Sequence, residues 1–292
     1  MMKVKHGFTL IELAIALTIV TLLVGGLSVP LSKRLTEQQY AQTQASIDKA
    51  MEALVGYALL NQRLPCPDIS TTVTDNRDGV EDPLPGSPIT CALGANTGAF
   101  DFTRSSDSTV GGASWGDLPW KTLGLAAPYN SDAWNNRLRY AVVTYFALPP
   151  TSSPNLINSI GTSGDSLLVY CRGQNATGAV APGCISPGYS VSSDVAFVVY
   201  SMGANGWGST SISSLSIKKP FTAAQLSFAP DEAANAPETE AGTNAAAILS
   251  RRQYVTRDRT ESTSLSGEFD DLLSFMPRAK LTARLMNAGL YP

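Results

Sequence analysis

A long apolar run near the start of the chain is its most distinctive pattern. From Phe8 to Leu31 the only ionisable side chain is Glu12. At about 1.5 Å of rise per residue, a helix of this length crosses a bilayer core of about 30 Å. The pattern therefore predicts a membrane-spanning helix over 8–31. Because an unpaired carboxylate is costly inside a membrane, Glu12 is expected to need a cationic partner.

The helical pattern continues beyond this run to about Gln62. Apolar residues at positions 47, 51, 54, 55 and 58 form one stripe along a helix surface. The stretch 36–46 is polar nearly all round. We therefore expect 32–64 to be a stalk helix whose second half packs on a globular head, with Pro65 and Pro67 ending the helix.

Short apolar runs separated by loops fill the remaining segment, 65–292. Runs at 138–148, 166–171, 194–202, 252–257 and 269–275 predict strands, and 98–102 predicts a weaker one. A final segment, 278–288, has a helical apolar face. The sequence thus predicts an α+β fold, in which a long N-terminal helix packs on an antiparallel-sheet head with long loops.

Composition narrows the range of functions. Charged residues make up 15% of the chain, and 21 basic residues against 24 acidic ones give no basic surface for nucleic acid. The four cysteines contain no Cys-x-x-Cys pair, which argues against a zinc ribbon or a thioredoxin-like site. Of the three possible disulfide connectivities, short loops favour Cys66 with Cys91 and Cys171 with Cys184. Each such bridge contributes about 3 kcal/mol.

The N-terminal residues resemble a known processing signal. Two lysines, a histidine and Gly7, followed by Phe-Thr-Leu-Ile-Glu-Leu, resemble the signal of type IV prepilins and of type II secretion pseudopilins. The resemblance implies that a prepilin peptidase removes 1–7 as a leader and methylates the new amine on Phe8. It also implies that Glu12 pairs with the terminal amine of a neighbouring subunit during filament assembly.

Two other interpretations of this signal remain open. An uncleaved signal anchor would tolerate Glu12 near the membrane interface. A secretory signal peptide fits less well, because its apolar core spans about 7–15 residues and ends at a small-x-small site. Cleavage after Gly7 would remove the only histidine, and a chain without histidine cannot build a Ser-His-Asp or Cys-His site.

Two segments of the head resemble pseudopilin segments. The sequence from Asp132 to Tyr140 is similar to their Asp-x-Trp-Gly-Asn-x-x-x-Tyr region, with Asn135 in place of the glycine. The glycine-rich turn 201–208 resembles the loop of the major pseudopilin that commonly binds calcium. Asn205 stands where an aspartate is typical, and Asp231 and Glu232 are candidate oxygen ligands nearby. The alternative is a solvated surface loop.

A second acidic stretch, 74–82, partly imitates a calcium loop. Asn76, Asp78 and Asp82 match ligand positions and Gly79 matches the turn, but the first aspartate and the last glutamate are missing. We interpret this stretch as an acidic turn.

The sequence as a whole favours a structural role. We expect a pilin-like subunit anchored once in the inner membrane with its head in the periplasm, and its large head favours a minor or accessory subunit. Its expected partners are other pilins or pseudopilins, the prepilin peptidase and the inner-membrane assembly platform. The signal does not distinguish a type IV pilus from a type II secretion pseudopilus.

Two alternatives come from other classes of protein. An adhesin would use exposed side chains among the four tryptophans, Trp115, Trp120, Trp134 and Trp207. An enzyme has weaker support: the Ser-x-x-Lys match at 216–219 lacks the companion motifs of its class. The adjacent carboxylates Asp270 and Asp271 give no clear glycosidase pair. We therefore expect no enzymatic activity.

Overall fold

The computed structural model describes residues 9–69, 78–83, 91, 113–151, 156–157, 166–171, 184, 189–213, 219, 229–236, 253–264 and 266–290, without the side chains of 24–32, 113 and 189. The chain divides into two units, Met1–Gln42 and Thr43–Pro292. The helices and strands are, in order, α1 (Leu10–Asn61), β1 (Ala113–Asp117), β2 (Arg139–Val143), β3 (Leu167–Cys171), β4 (Tyr189–Ser201), α2 (Pro230–Asn235), β5 (Gln253–Val255), β6 (Leu272–Pro277) and α3 (Arg278–Asn287).

Helix α1 is a single helix of 52 residues. The predicted apolar stripe is confirmed, since Ile47, Leu54 and Ala58 are fully buried in the head core. The helix ends where Gln62 adopts a left-handed conformation with φ 56°, a common way for a helix to stop. Thr43 packs on the head, and its hydroxyl accepts a hydrogen bond from the backbone N–H of Ala133 at 3.0 Å.

Six described strands form one sheet around the long strand β4. The order is β1-β2-β4-β3-β5, and β6 also pairs with β4. Val195 pairs with both Leu167 and Pro277, which places this part of β4 between β3 and β6. The near-continuous apolar run from Val195 to Tyr200 is fully buried, as expected for a strand with neighbours on both sides.

The sheet is mixed, which corrects the expectation of an antiparallel sheet. Strands β3 and β5 are parallel, with Leu168 opposite Gln253 and Tyr170 opposite Val255. A parallel pair needs a long crossover connection. More than eighty residues separate these two strands, so the chain has ample length for the crossover.

Most predicted elements of the head are present, with shifted boundaries. Strand β2 is shorter than predicted, because the chain enters a 3₁₀ turn at Thr144–Ala147. Strand β1 and the short helix α2 were not predicted. The weak strand predicted at 98–102 lies outside the described residues.

The Arg63–Glu81 ion pair and the Cys66–Cys91 disulfide join the segment after α1 to the head. Glu81 accepts two hydrogen bonds from Arg63, at 2.6 and 2.8 Å, and one from the backbone N–H of Cys66 at 2.9 Å. Burial, the largest single effect, raises the pKa of Glu81, but the hydrogen bonds from Arg63 and Cys66 and the charge of Arg63 act together to lower it. Both disulfides have the pairing favoured from the sequence, Cys66 with Cys91 and Cys171 with Cys184.

Candidate functional site

The start of α1 forms a reciprocal cap. The hydroxyl and the backbone N–H of Thr9 donate to one carboxylate oxygen of Glu12, at 2.8 and 2.9 Å, and the backbone N–H of Glu12 returns a bond to the Thr9 hydroxyl at 3.3 Å. This is the capping box that Thr-x-x-Glu produces at a helix N-terminus. The Thr-x-x-Glu signal was present in the sequence, but the capping box was not among the predictions. Gly7 and Phe8 lie outside the described residues.

The first turns of α1 expose apolar side chains. Leu10 is 87% exposed and Leu22 is 71% exposed, and all residues from 9 to 23 are exposed. Within the part of the chain that the structure describes, no helix has both the length and the apolar composition of a membrane span.

A second candidate site lies in the head, on the loop that follows β4. A buried carboxylate, Asp132, supports this loop. It accepts hydrogen bonds from the backbone N–H groups of Trp134 and Asn136, at 2.9 and 2.8 Å, and from the hydroxyl of Ser201 at 2.7 Å. Burial raises the pKa of Asp132, and these bonds oppose the rise.

The Asp132 turn explains the asparagine at position 135. Asn135 has φ 63°, in the left-handed region that glycine and asparagine tolerate best. Asparagine therefore replaces the glycine of the pseudopilin pattern without losing the turn. The next residue, Asn136, is buried and donates to the carbonyl of Gly203 at 3.0 Å, which ties the turn to the loop after β4.

Three acidic side chains meet beside this loop. Carboxylate oxygens of Glu232, Asp270 and Asp271 all lie within 4.8 Å of one another. Glu232 comes from α2, and the two aspartates come from the segment just before β6. All three residues are buried, with less than a tenth of their surface exposed. Three acidic groups therefore share a region with little water.

Burial and mutual repulsion change the protonation of this group. Burial, followed by the charge of Asp270, raises the pKa of Glu232 to about 8. Burial likewise raises the pKa of Asp270 to about 6. Burial and both neighbours raise the pKa of Asp271 well above its ordinary value. Glu232 therefore keeps its proton over much of the neutral pH range, and a bound cation would displace that proton.

The structure places the three predicted ligands, Asn205, Asp231 and Glu232, in different environments. Asp231 does not join Glu232, because its carboxylate forms a fully buried ion pair with Arg257 at 2.7 Å. The side-chain N–H₂ of Asn205 donates to both oxygens of Glu232, at 2.9 and 3.0 Å, so it orients that carboxylate as a donor. Of the predicted set, Glu232 is the residue that belongs to the described cluster of three carboxylates.

The observed set has the chemistry that suits a hard cation. Calcium binds carboxylate oxygens, and three of them meet here. One oxygen of Asp270, Oδ1, is buried and has no hydrogen-bond partner among the described residues. A side chain at Gly203 would collide with this same carboxylate, so glycine is required for the loop to approach it. Glu232, Asp270 and Asp271 therefore fit the calcium ion that the resemblance implies.

The acidic turn has a structural role in its described part. The carboxylate of Asp82 accepts from the backbone N–H of Ile69 at 2.6 Å, and that of Asp78 accepts from Val80 at 2.9 Å. Both bonds fasten backbone, which agrees with the interpretation as an acidic turn. Asn76 lies outside the described residues.

The tryptophans are partly buried. Trp115, Trp120 and Trp207 pack against the main core, and Trp134 is also half-buried. Residues 216–218 of the Ser-x-x-Lys match lie outside the described residues, and Lys219 donates to the carbonyl of Asn205 at 2.7 Å. Neither observation adds support for an adhesin or an enzyme.

Comparison with known proteins gives one match. The model of the prokaryotic N-terminal methylation motif matches residues 2–28. No curated protein and no solved structure matches the chain. The chain therefore carries the N-terminal motif that is typical of type IV pilins and pseudopilins, and this part of the resemblance is confirmed. The match covers 27 of the 292 residues and leaves the head outside it.

Proposed function

We propose that the chain is a pilin-like structural subunit, cleaved after Gly7 and N-methylated on Phe8. The single observation that carries this proposal is the methylation motif over residues 2–28. The division of α1 supports it, because residues 9–23 expose apolar side chains while the stripe around Leu54 belongs to the head core. A protein in water rarely exposes so many apolar side chains in one run, and such a surface usually contacts a membrane or another protein.

In this proposal the apolar part of α1 anchors the subunit in the inner membrane and then packs in the core of a filament. The head lies in the periplasm, where two disulfides are stable. The partners are other pilins or pseudopilins, the prepilin peptidase and the assembly platform. The 292-residue length favours a minor or accessory subunit rather than the main repeating one. A membrane-anchored adhesin is the alternative, and we expect no enzymatic activity.

Processing is tested directly by mass spectrometry of the N-terminus. Protein extracted from cells with an active prepilin peptidase should begin at N-methylated Phe8. Replacing Gly7 with a bulky residue should leave the full leader in place. An intact Met1 terminus on the unaltered chain would contradict the proposal.

Assembly is tested with Glu12→Leu. Processing should persist, and the processed subunit should accumulate in the membrane fraction while sheared filaments lose it, because no carboxylate meets the incoming amine. Glu37→Leu is a matched control on the same helix, outside the apolar run. Equal partition of the Glu12→Leu protein and the unaltered chain would show that Glu12 does not determine assembly.

We propose cation binding as a second function of the head. The buried Oδ1 of Asp270, which has no hydrogen-bond partner in the described structure, is the observation that favours it. Calcium would neutralise the charge of Glu232, Asp270 and Asp271 and hold the loop after β4 against α2. It would thus stabilise the head without taking part in any reaction.

Calcium binding is tested by thermal unfolding of the full-length chain in detergent. A ligand at one hundred times its Kd stabilises a protein by about 2.7 kcal/mol. Calcium should raise the Tm of the unaltered chain, and Asp271→Asn should abolish the rise. Asp258→Asn, an exposed change of the same kind, should preserve it. No rise in any of the three proteins would contradict cation binding and leave the pilin proposal unaffected.

A further inference from the structure

Two buried aspartates face each other where the chain leaves α1. Asp68 and Asp117 form an isolated antiparallel bridge and exchange two backbone hydrogen bonds, at 3.0 and 2.8 Å. Residues opposed in this way place their Cβ atoms about 4.5–5.5 Å apart on one face of the sheet. Asp68 is 1% exposed and Asp117 is 2% exposed, so water reaches neither carboxyl group.

Asp117 has positive partners on the neighbouring segment. Arg139 donates to its Oδ1 at 2.5 Å, and the Nε of Arg137 lies 3.6 Å from its Oδ2. Arg139 is itself 1% exposed, so this is a buried ion pair. Two guanidinium groups therefore lie close to the Asp117 carboxylate.

Asp68 has a different environment. Its Oδ2 accepts from the backbone N–H of Gly79 at 2.7 Å, and its Oδ1 is buried without a hydrogen-bond partner in the described structure. The charged groups that face it are the carboxylates of Asp117 and Asp82 and the guanidinium of Arg137. Burial first, and then the charge of Asp117, raises the pKa of Asp68 to about 8.

We propose that Asp68 is a neutral carboxylic acid at physiological pH and that its Oδ1–H donates to the Asp117 carboxylate. A single proton on Asp68 then gives the buried Oδ1 a hydrogen-bond partner and removes one of the two like charges of Asp68 and Asp117. This proton completes a set of hydrogen bonds among Asp68, Asp117 and Gly79, which we call the clasp. This clasp joins the segment after α1 and the acidic turn to strand β1.

The clasp has a definite pH dependence. The pKa of Asp68 in the folded chain lies above that of an aspartate in the unfolded chain, which is about 4. The folded state therefore binds more protons between these values, and its stability from this group falls as the pH rises from about 4 to about 8. Above pH 8 the two carboxylates repel each other and the clasp weakens.

Asp68→Asn tests whether the Asp68 carboxyl carries a proton in the folded chain. The amide has the shape of the acid and carries permanent N–H donors, so the variant should keep the clasp at every pH. Unfolding of the full-length chain in detergent, with its disulfides intact, should show a variant at least as stable as the unaltered chain at pH 8.5. The advantage of the variant should shrink as the pH falls to 5. Asp78→Asn, an exposed change on the same turn, should follow the unaltered chain at every pH.

A second measurement does not depend on the folding of the variant. Carbon-13 NMR of side-chain-labelled aspartate in the unaltered chain should show one carboxyl, assigned by its loss in Asp68→Asn, that titrates near pH 8 rather than near pH 4. If the variant does not fold, the Asp68 signal cannot be assigned by its loss. Hydrogen exchange of the Gly79 amide in the unaltered chain then tests the proposal, because the protection of this amide should fall between pH 7 and 9. An Asp68 that is ionised at pH 6, or an Asp68→Asn protein equally destabilised at all pH values, would overturn the proposal.

Discussion

Removal of Asp231 should show how firmly α2 is held in the head. Its ion pair with Arg257 has a separation of 2.7 Å, and both side chains are 0% exposed. Asp231→Ala would leave a buried guanidinium without its counter-charge, and breaking such a pair costs about 3–5 kcal/mol. Arg257 would keep hydrogen bonds to Thr260 at 2.7 Å and to the carbonyl of Ser266 at 3.1 Å. These remaining bonds favour the lower half of that range.

Thermal unfolding of the full-length chain in detergent measures this cost. At roughly 2–4 °C per kcal/mol for a domain of this size, Asp231→Ala should lower the Tm by about 6–16 °C. The control is Asp194→Ala, which removes the 2.9 Å partner of Arg278. The Asp194 side chain is 56% exposed, and an exposed pair contributes about 0–1 kcal/mol.

A double variant tests the physical reason. Asp231→Leu combined with Arg257→Met removes both charges, and such exchanges are often neutral or stabilising. Most of the lost stability should therefore return. A loss for Asp231→Ala no greater than that for Asp194→Ala would refute the argument, and so would a double variant as unstable as the single one.

Three further changes test other parts of the structure. Asn135→Gly should leave the free energy of unfolding nearly unchanged, whereas Asn135→Val should lower it by about 1–2 kcal/mol because φ is positive at this position. Equal stabilities of the two variants in chemical denaturation would contradict this. Thr9→Val removes the cap hydroxyl and should lower amide protection in the first turn of α1, by hydrogen exchange, while Thr21→Val should leave it unchanged. Cys171→Ser should lower the free energy of unfolding by about 3 kcal/mol under oxidising conditions, and the difference should vanish when both proteins are fully reduced.

The sequence was most informative where one periodicity runs over many residues. The stripe through Ile47, Leu54 and Ala58 identified both the helix and the face it buries. Strand β1 was missed because its five residues include a glycine and follow a stretch rich in glycine, serine and threonine. The parallel pairing of β3 with β5 depends on how a long connection folds back, which a local pattern does not contain.

The candidate cation site was only partly predictable for a geometric reason. Asp231 and Glu232 are neighbours on α2, and successive helical residues point about 100° apart. One therefore reaches Arg257, and the other reaches Asp270, 38 residues further along the chain. The acidic composition of the segment around α2 therefore identified Glu232, whereas Asp270 and Asp271 come close to it only in the folded chain.

The disulfide after α1 has a mechanical consequence. In a filament of the proposed kind, tension would reach the subunit through α1. The bond from Cys66 to Cys91 closes a loop with a separation of 25 residues. Fully extended, that length of chain would span about 80–90 Å. While the disulfide is intact this length of chain cannot extend. A head pulled away from α1 would therefore lengthen by about 80–90 Å less than the same head after reduction.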